Sequence, residues 1–87
     1  MKKEVKEILD KLIDGKNINE AEVVYLFNES EDTVVKESIR RTDDSPIVMV
    51  SKIIEYKRKY FQLRMLVHNE SGVVTHTVVK EIKYHES

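Results

Sequence analysis

The chain has 87 residues, no cysteine, 36% charged residues and a formal net charge of −1. That length supports one small core, the lack of cysteine excludes a disulfide framework and thiolate metal sites, and no apolar stretch approaches the ~18 residues of a membrane span. Such dense, balanced charge describes a salt-bridged folded surface rather than a disordered chain, and a small cysteine-free domain is expected in the reducing cytoplasm.

The balance is uneven along the chain. Residues 1–46 carry 8 Lys/Arg against 12 Asp/Glu, and residues 47–87 carry 7 against 4. An acidic front and a basic back either attract each other across one fold or mark a polyanion partner. The first reading is the simpler for so small a difference.

Met1-Lys2-Lys3-Glu4 leads into an amphipathic pattern without the apolar core of a signal peptide. Val5, Ile8, Leu9, Leu12 and Ile13 follow the spacing of one helical stripe, and Gly15 suits a C-terminal cap. Asn19 with Glu22 three residues on forms a capping-box pattern, flanked by Ile18 and Val23 as a hydrophobic staple. A second helix is expected from about Glu20 to Phe27. Residues 23–27 and 33–35 are also rich in strand-favouring types and allow a hairpin instead; the cap chemistry favours the helix. A third helix is expected over Glu31–Arg41, with Val35 and Ile39 one turn apart and Arg40 and Arg41 at its C-terminal dipole, ended by Ser45-Pro46.

From Ile47 to Tyr84 apolar residues recur at every second position, the period of a half-buried strand. Asn69-Glu70-Ser71-Gly72 reads as a four-residue turn placing Val67 opposite Val74 and Met65 opposite His76. Lys57–Tyr60 reads as the other turn, placing Tyr56 opposite Phe61, Ile54 opposite Leu63 and Lys52 opposite Met65. Both then put Val48, Val50, Ile54, Tyr56, Phe61, Leu63, Met65, Val67, Val74, Val78, Ile82 and Tyr84 on one face. The expected architecture is α+β: two or three N-terminal helices (1–45) on one face of a three-stranded antiparallel β-meander (46–85), all within a single domain.

Lys52, Met65 and His76 fall in one cross-strand row of that face. They read either as an anion-binding notch or as a margin where long stems reach solvent, and the margin is the simpler account. On the opposite face Ile47, Met49, Leu66 and Val73 cluster at one end. With open strand edges, this patch points to a protein partner or a homodimer. The basic tip Lys57-Arg58-Lys59, with Arg64, Arg40 and Arg41, is the candidate nucleic-acid site.

The order of three helices and a hairpin resembles a winged helix, which implies DNA binding. The resemblance rests on Val24, Phe27 and Val34 as core positions and breaks down at the turn, Asn28-Glu29-Ser30-Glu31-Asp32. That turn is acidic, lacks glycine and would put carboxylates where a recognition helix meets phosphates. The Lys57–Lys59 run is then a solvated turn. A further reading is a small acidic inhibitor offering Glu29, Glu31, Asp32, Glu37, Asp43 and Asp44 to a basic surface.

Enzymatic chemistry has little support. His68, His76 and His85 do not converge in the expected register, and no metal-ligand spacing accompanies them. The serines lack a nucleophile elbow, and Gly15 and Gly72 alone cannot form a phosphate-cradling loop. The expectation is a non-enzymatic interaction module without metal, cofactor, membrane or small-molecule substrate.

Overall fold

The computed structural model describes residues 1–85. Two helices, α1 (Lys3–Ile13) and α2 (Glu20–Glu29), precede four strands, β1 (Val34–Arg41), β2 (Ile47–Tyr56), β3 (Lys59–His68) and β4 (Val74–Ile82). The strands form one antiparallel sheet in the order β1-β2-β3-β4. Both helices pack on one face of it. The shortest dimension of the molecule, 20 Å, corresponds to one helix layer on one sheet.

The helix signals act as written in the sequence. Val5 and Leu9 of the α1 stripe are fully buried. Gly15, at φ +77°, turns the chain out of α1. Its N–H donates to the Leu12 carbonyl at 3.1 Å, and the Lys16 N–H to that of Lys11 at 2.9 Å, the paired bonds of a Schellman cap. At the start of α2 the Asn19 side chain accepts the Glu22 N–H at 2.8 Å, and the Glu22 carboxylate accepts the Asn19 N–H at 3.1 Å. Two N–H groups that lack intrahelical partners are thereby satisfied. α2 buries Val23, Leu26 and Phe27. The core joins Leu9 and Leu26 to Ile54, Phe61, Leu63 and Met65 of the central strands.

The third helix is absent and the sheet has four strands rather than three. Glu31–Thr33 form a single 3-10 turn, and Val34–Arg41 extend along β2, with Ile39 opposite Val50 and Arg41 opposite Val48. As a helix this segment would bury only Val35 and Ile39. As a strand, its backbone satisfies the otherwise open edge of β2, and its β-branched Val34 and Val35 suit that conformation. Most of the strand remains exposed, Ile39 at 64%, because the helix layer does not reach it.

The β2–β3 register is shifted by two residues from the expected one: Ile54 faces Phe61 and Lys52 faces Leu63. The connection is a two-residue turn, Lys57-Arg58, with φ +49° and +66°, as in a type I′ hairpin. Its usual signature, Asn-Gly, is missing, so the sequence suggests a longer loop. A two-residue shift preserves the faces, and Ile54, Phe61 and Leu63 stay inside.

The β3–β4 pairing begins as expected, with Val67 opposite Val74, and then bulges, so that Leu66 faces His76. The extra residue, Thr75, satisfies its hydroxyl on the Leu66 carbonyl at 3.2 Å. Beyond the bulge every side chain changes face. Val79, opposite Leu63, packs on the core, whereas Val78, Ile82 and Tyr84, expected beneath the helices, belong to the opposite face. His76, also expected on the covered face, points away from it.

Two stability measurements check this architecture. Arg58→Gly relieves a left-handed L-residue and is expected to stabilise the protein by about 1 kcal/mol in urea denaturation, the strain removed exceeding the entropy that glycine adds. Destabilisation would contradict the left-handed turn. Leu63→Ala leaves a cavity beneath both helices and should cost about 3 kcal/mol.

Candidate functional site

The face of the sheet away from the helices carries no covering layer. Across its middle run two cross-strand rows: Arg40, Met49, Leu66 and His76, and then Ser38, Ser51, Arg64 and Val78. Ile53 lies in the next row, opposite Gln62, Ile82 one row further, opposite Tyr60, and Ile47 lies opposite His68 at the far end. Met49, Ile53, Leu66, Val78 and Ile82 are half-buried, screened only by their neighbours in the sheet. Tyr60 and Tyr84 close one corner with ring centroids 5.3 Å apart.

The two faces differ in charge. On the helix side and around its margin, five lysines meet carboxylates, Lys2 with Glu29 at 3.0 Å, Lys11 with Glu22 at 2.7 Å, Lys57 with Asp10 at 3.2 Å, and Lys52 with Glu37 and Lys59 with Glu81 at 3.7 Å, while Lys3, Lys6, Lys16 and Arg41 have no ion pair among the described residues. The open face holds Lys36, Arg40, Arg64 and Lys80, and among the described residues none of them has an ion-pair partner. Glu55, next to Tyr60 at one end, is the only carboxylate among the described residues of the four strands on this face.

Arg64 lies at the centre. Its Nε is enclosed and, among the described residues, without a hydrogen-bond partner, while Nη2 donates to the Gln62 side-chain oxygen at 3.4 Å. The neighbouring Ser51 hydroxyl is engaged with that of Ser38 at 2.6 Å.

The structure brings together part of each predicted site. Ile47, Met49 and Leu66 share the open face, but Val73 sits in the β3–β4 connection, 57% exposed, with its carbonyl accepting the His68 N–H at 2.9 Å. Of the proposed nucleic-acid residues, Arg40 and Arg64 lie on the open face. Arg41 pairs with Val48 on the helix side, and Lys57 and Lys59 are held by Asp10 and Glu81. Arg58 sits at the turn, without an ion-pair partner among the described residues. The Lys52, Met65 and His76 row dissolves. Lys52 donates to the Phe27 carbonyl at 2.7 Å and lies 4.4 Å above the Phe27 ring, which makes it a cationic cap for α2. The acidic set is dispersed: Glu29 and Glu37 pair with lysines, Asp32 lies 3.9 Å from the N-terminal amine, and Asp43 and Asp44 belong to the β1–β2 connection.

Sequence reasoning missed Lys36, Ile53, Val78, Lys80 and Ile82 as members of the open face. Ile53 shares the odd-position alternation of Ile47 and Met49 and was legible there. Val78, Lys80 and Ile82 were hidden by the bulge at Thr75, which no turn residue announces.

Among the described residues no group of three or more His, Cys, Asp or Glu is placed to hold a metal. His68 Nδ1 accepts the Ser71 N–H at 3.4 Å. A concavity of about 610 Å3 is lined by Glu20, Ala21, Val24, Tyr25, Asn28 and Glu29. All six belong to α2, so it is the outer surface of one helix. No helix among the described residues is long and apolar enough to cross a membrane.

The basic turn has a structural duty. The Asp10 carboxylate accepts from the Tyr56 hydroxyl at 2.8 Å and from Lys57 Nζ at 3.2 Å. These bonds, Tyr56 first, hold the Asp10 carboxyl below its usual range and push the Tyr56 and Lys57 groups upward. A carboxyl depressed on folding stabilises above its unfolded pKa, near ~3.9, and loses that contribution as pH falls through its lower folded value. The raised Tyr56 and Lys57 stabilise below their unfolded values, near ~10, and lose it as pH rises. The tie between α1 and the β2–β3 turn is therefore expected to hold across neutral pH and to weaken below about pH 4. Amide exchange at residues 56–59 followed from pH 6 to pH 3 checks this. Asp10→Asn should remove the acid-dependent part.

No family model matches this chain, and neither a curated protein nor a solved structure resembles it closely enough to match.

Proposed function

We propose that this protein is a non-enzymatic interaction module that engages a protein partner through the open face of its sheet. The observation that carries the reading is the uncovered layer itself. Met49 and Leu66 lie side by side across β2 and β3, and Ile53 and Val78 share their face beside Ser51, Gln62 and Arg64, where a second layer would complete a sandwich. Apolar side chains gathered on an uncovered face among polar groups are a mark of a contact site.

A polyanion reading has one observation in its favour: Arg40 and Arg64 stand on the same face as Lys36 and Lys80. Against it, the cations share the face with aliphatic side chains, Met49, Ile53, Leu66 and Val78, set around Arg64. Sheets that bind single strands do so largely through aromatic stacking, and here Tyr60 and Tyr84 are confined to one corner.

Capture on the full-length chain from a nuclease-treated extract of the source cell tests the proposal. Leu66→Glu is expected to abolish retention of the partner, whereas Glu7→Lys on the exposed side of α1 leaves it intact. Glu7→Lys should change stability by no more than about 0.5 kcal/mol, as is usual at surface positions, and Leu66→Glu, at a half-buried position of a central strand, should cost about 1 kcal/mol while leaving the fold intact by its amide spectrum. Equal retention by wild type and Leu66→Glu would reject the open face as the contact. Binding that disappears with nuclease would favour nucleic acid.

A further inference from the structure

Building on that reading of the open face, we infer that its occupant is an acidic, aliphatic segment of a different protein, seated across β1–β4 with a carboxylate on Arg64. The argument begins with the division of charge. Five lysines elsewhere in the molecule lie within 4 Å of a carboxylate, and Lys3, Lys6, Lys16, Arg41, Arg58 and Lys83 have no ion pair among the described residues either. What sets the open face apart is its one sign of charge, four cations against the single carboxylate of Glu55 among the described residues. Lys36, Arg40, Arg64 and Lys80 have found none among the described residues, and they are the four cations of one face. A surface with unneutralised charge of one sign complements a partner of the other.

The centre of the face refines the chemistry. Arg64 has Ser51 and Val78 on either side across the strands, with Leu66 and Gln62 two positions away along β3. Its stem lies on the sheet, its Nε is enclosed without an acceptor, and the one hydrogen bond to Gln62 is long at 3.4 Å. A guanidinium so placed is partly desolvated and held in position. A carboxylate meeting its terminal nitrogens makes two charge-assisted bonds without first ordering a flexible side chain. The aliphatic surroundings, Met49, Ile53, Leu66 and Val78, require apolar side chains from the same segment.

The same charges argue against a second copy as occupant. Two open faces apposed would bring eight cations, those four from each copy, against the two Glu55 side chains, and like charges across an interface cost several kcal/mol. The phosphates of a nucleic acid would satisfy the cations but leave the aliphatic side chains around Arg64 uncompensated.

Heteronuclear NMR on the full chain, titrated with synthetic peptides, tests this. The probe is an end-capped ten-residue peptide alternating Glu and Leu. Its counterparts carry Gln or Lys in place of Glu, and a ten-nucleotide single strand is titrated in parallel. The Glu–Leu peptide is expected to shift the amides of Met49, Arg64, Leu66 and Val78, to bind more weakly as salt rises, and to lose at least about tenfold in affinity in Arg64→Gln, the loss of a charge-assisted pair. Arg58→Gln, at the turn, should leave affinity unchanged.

Equal binding of the Gln or Lys peptide, or no binding of the Glu peptide, overturns the acidic occupant. Tighter binding of the oligonucleotide on these amides reassigns the face to nucleic acid. Dimerisation in sedimentation at micromolar concentration, abolished by Leu66→Glu, reassigns it to a second copy. If Leu66→Glu abolishes partner capture while the acidic peptide fails to bind, the interaction surface stands and only its acidic occupant falls. If capture is also unaffected, both are rejected.

Discussion

Two helices cannot cover both faces of a four-stranded sheet. The chain devotes 11 and 10 residues to α1 and α2, and both lie on the side where Ile54, Phe61, Leu63 and Met65 point inward. The opposite side therefore has no second layer, and β1 beyond Val34 is exposed. Most features of the molecule follow from this shortage of cover: the thin profile, the half-buried aliphatic rows, and an edge strand whose Ile39 meets solvent. Burial of apolar area is the dominant favourable term in a small domain, so a sheet face left half dry in the free protein is a surface with free energy still to gain from a partner.

Charge follows the same division. Where helices and strands converge, carboxylates and lysines meet and neutralise one another, and Asp10, Tyr56 and Lys57 tie the first helix to the central hairpin. Lys52 donates to the Phe27 carbonyl in the last turn of α2. Two ion pairs, Lys57 with Asp10 and Lys52 with Glu37, join the acidic front half to the basic back half along one side. On the other side the strands keep their cations unanswered, since no acidic helix lies over them. The near-zero net charge is the sum of two very different surfaces.

Much of the fold could be read from residue patterns because the signals were local. The Schellman glycine at Gly15, the capping box of Asn19 and Glu22, and the turn at Asn69–Gly72 each act within a few residues, and each occurs where its chemistry requires. The strand over Val34–Arg41 could not be read this way. Its apolar spacing satisfies a helix as well as a strand, and only pairing with the otherwise open edge of β2, across the connection 42–46, selects between them. The candidate surface was legible in part: Ile47, Met49 and Leu66 follow from alternation alone, whereas Val73 was assigned to a strand that begins one residue later.

Alternation along Ile47–Tyr56 and Lys59–His68 is enough to determine which side chains of the central hairpin are inside, because the period of a strand is two and a slip of two residues changes nothing about the faces. The amino acids alone also determine both helices, through an apolar stripe and caps whose partners are a turn away. Tertiary structure decided what depends on an odd count or an open strand edge. The left-handed pair Lys57-Arg58 shortened one turn, the single extra residue at Thr75 moved Val78 and Ile82 to the open face, and β2 recruited β1. Each is a choice between local conformations close in energy, settled by which one lets distant backbone groups and apolar side chains find partners.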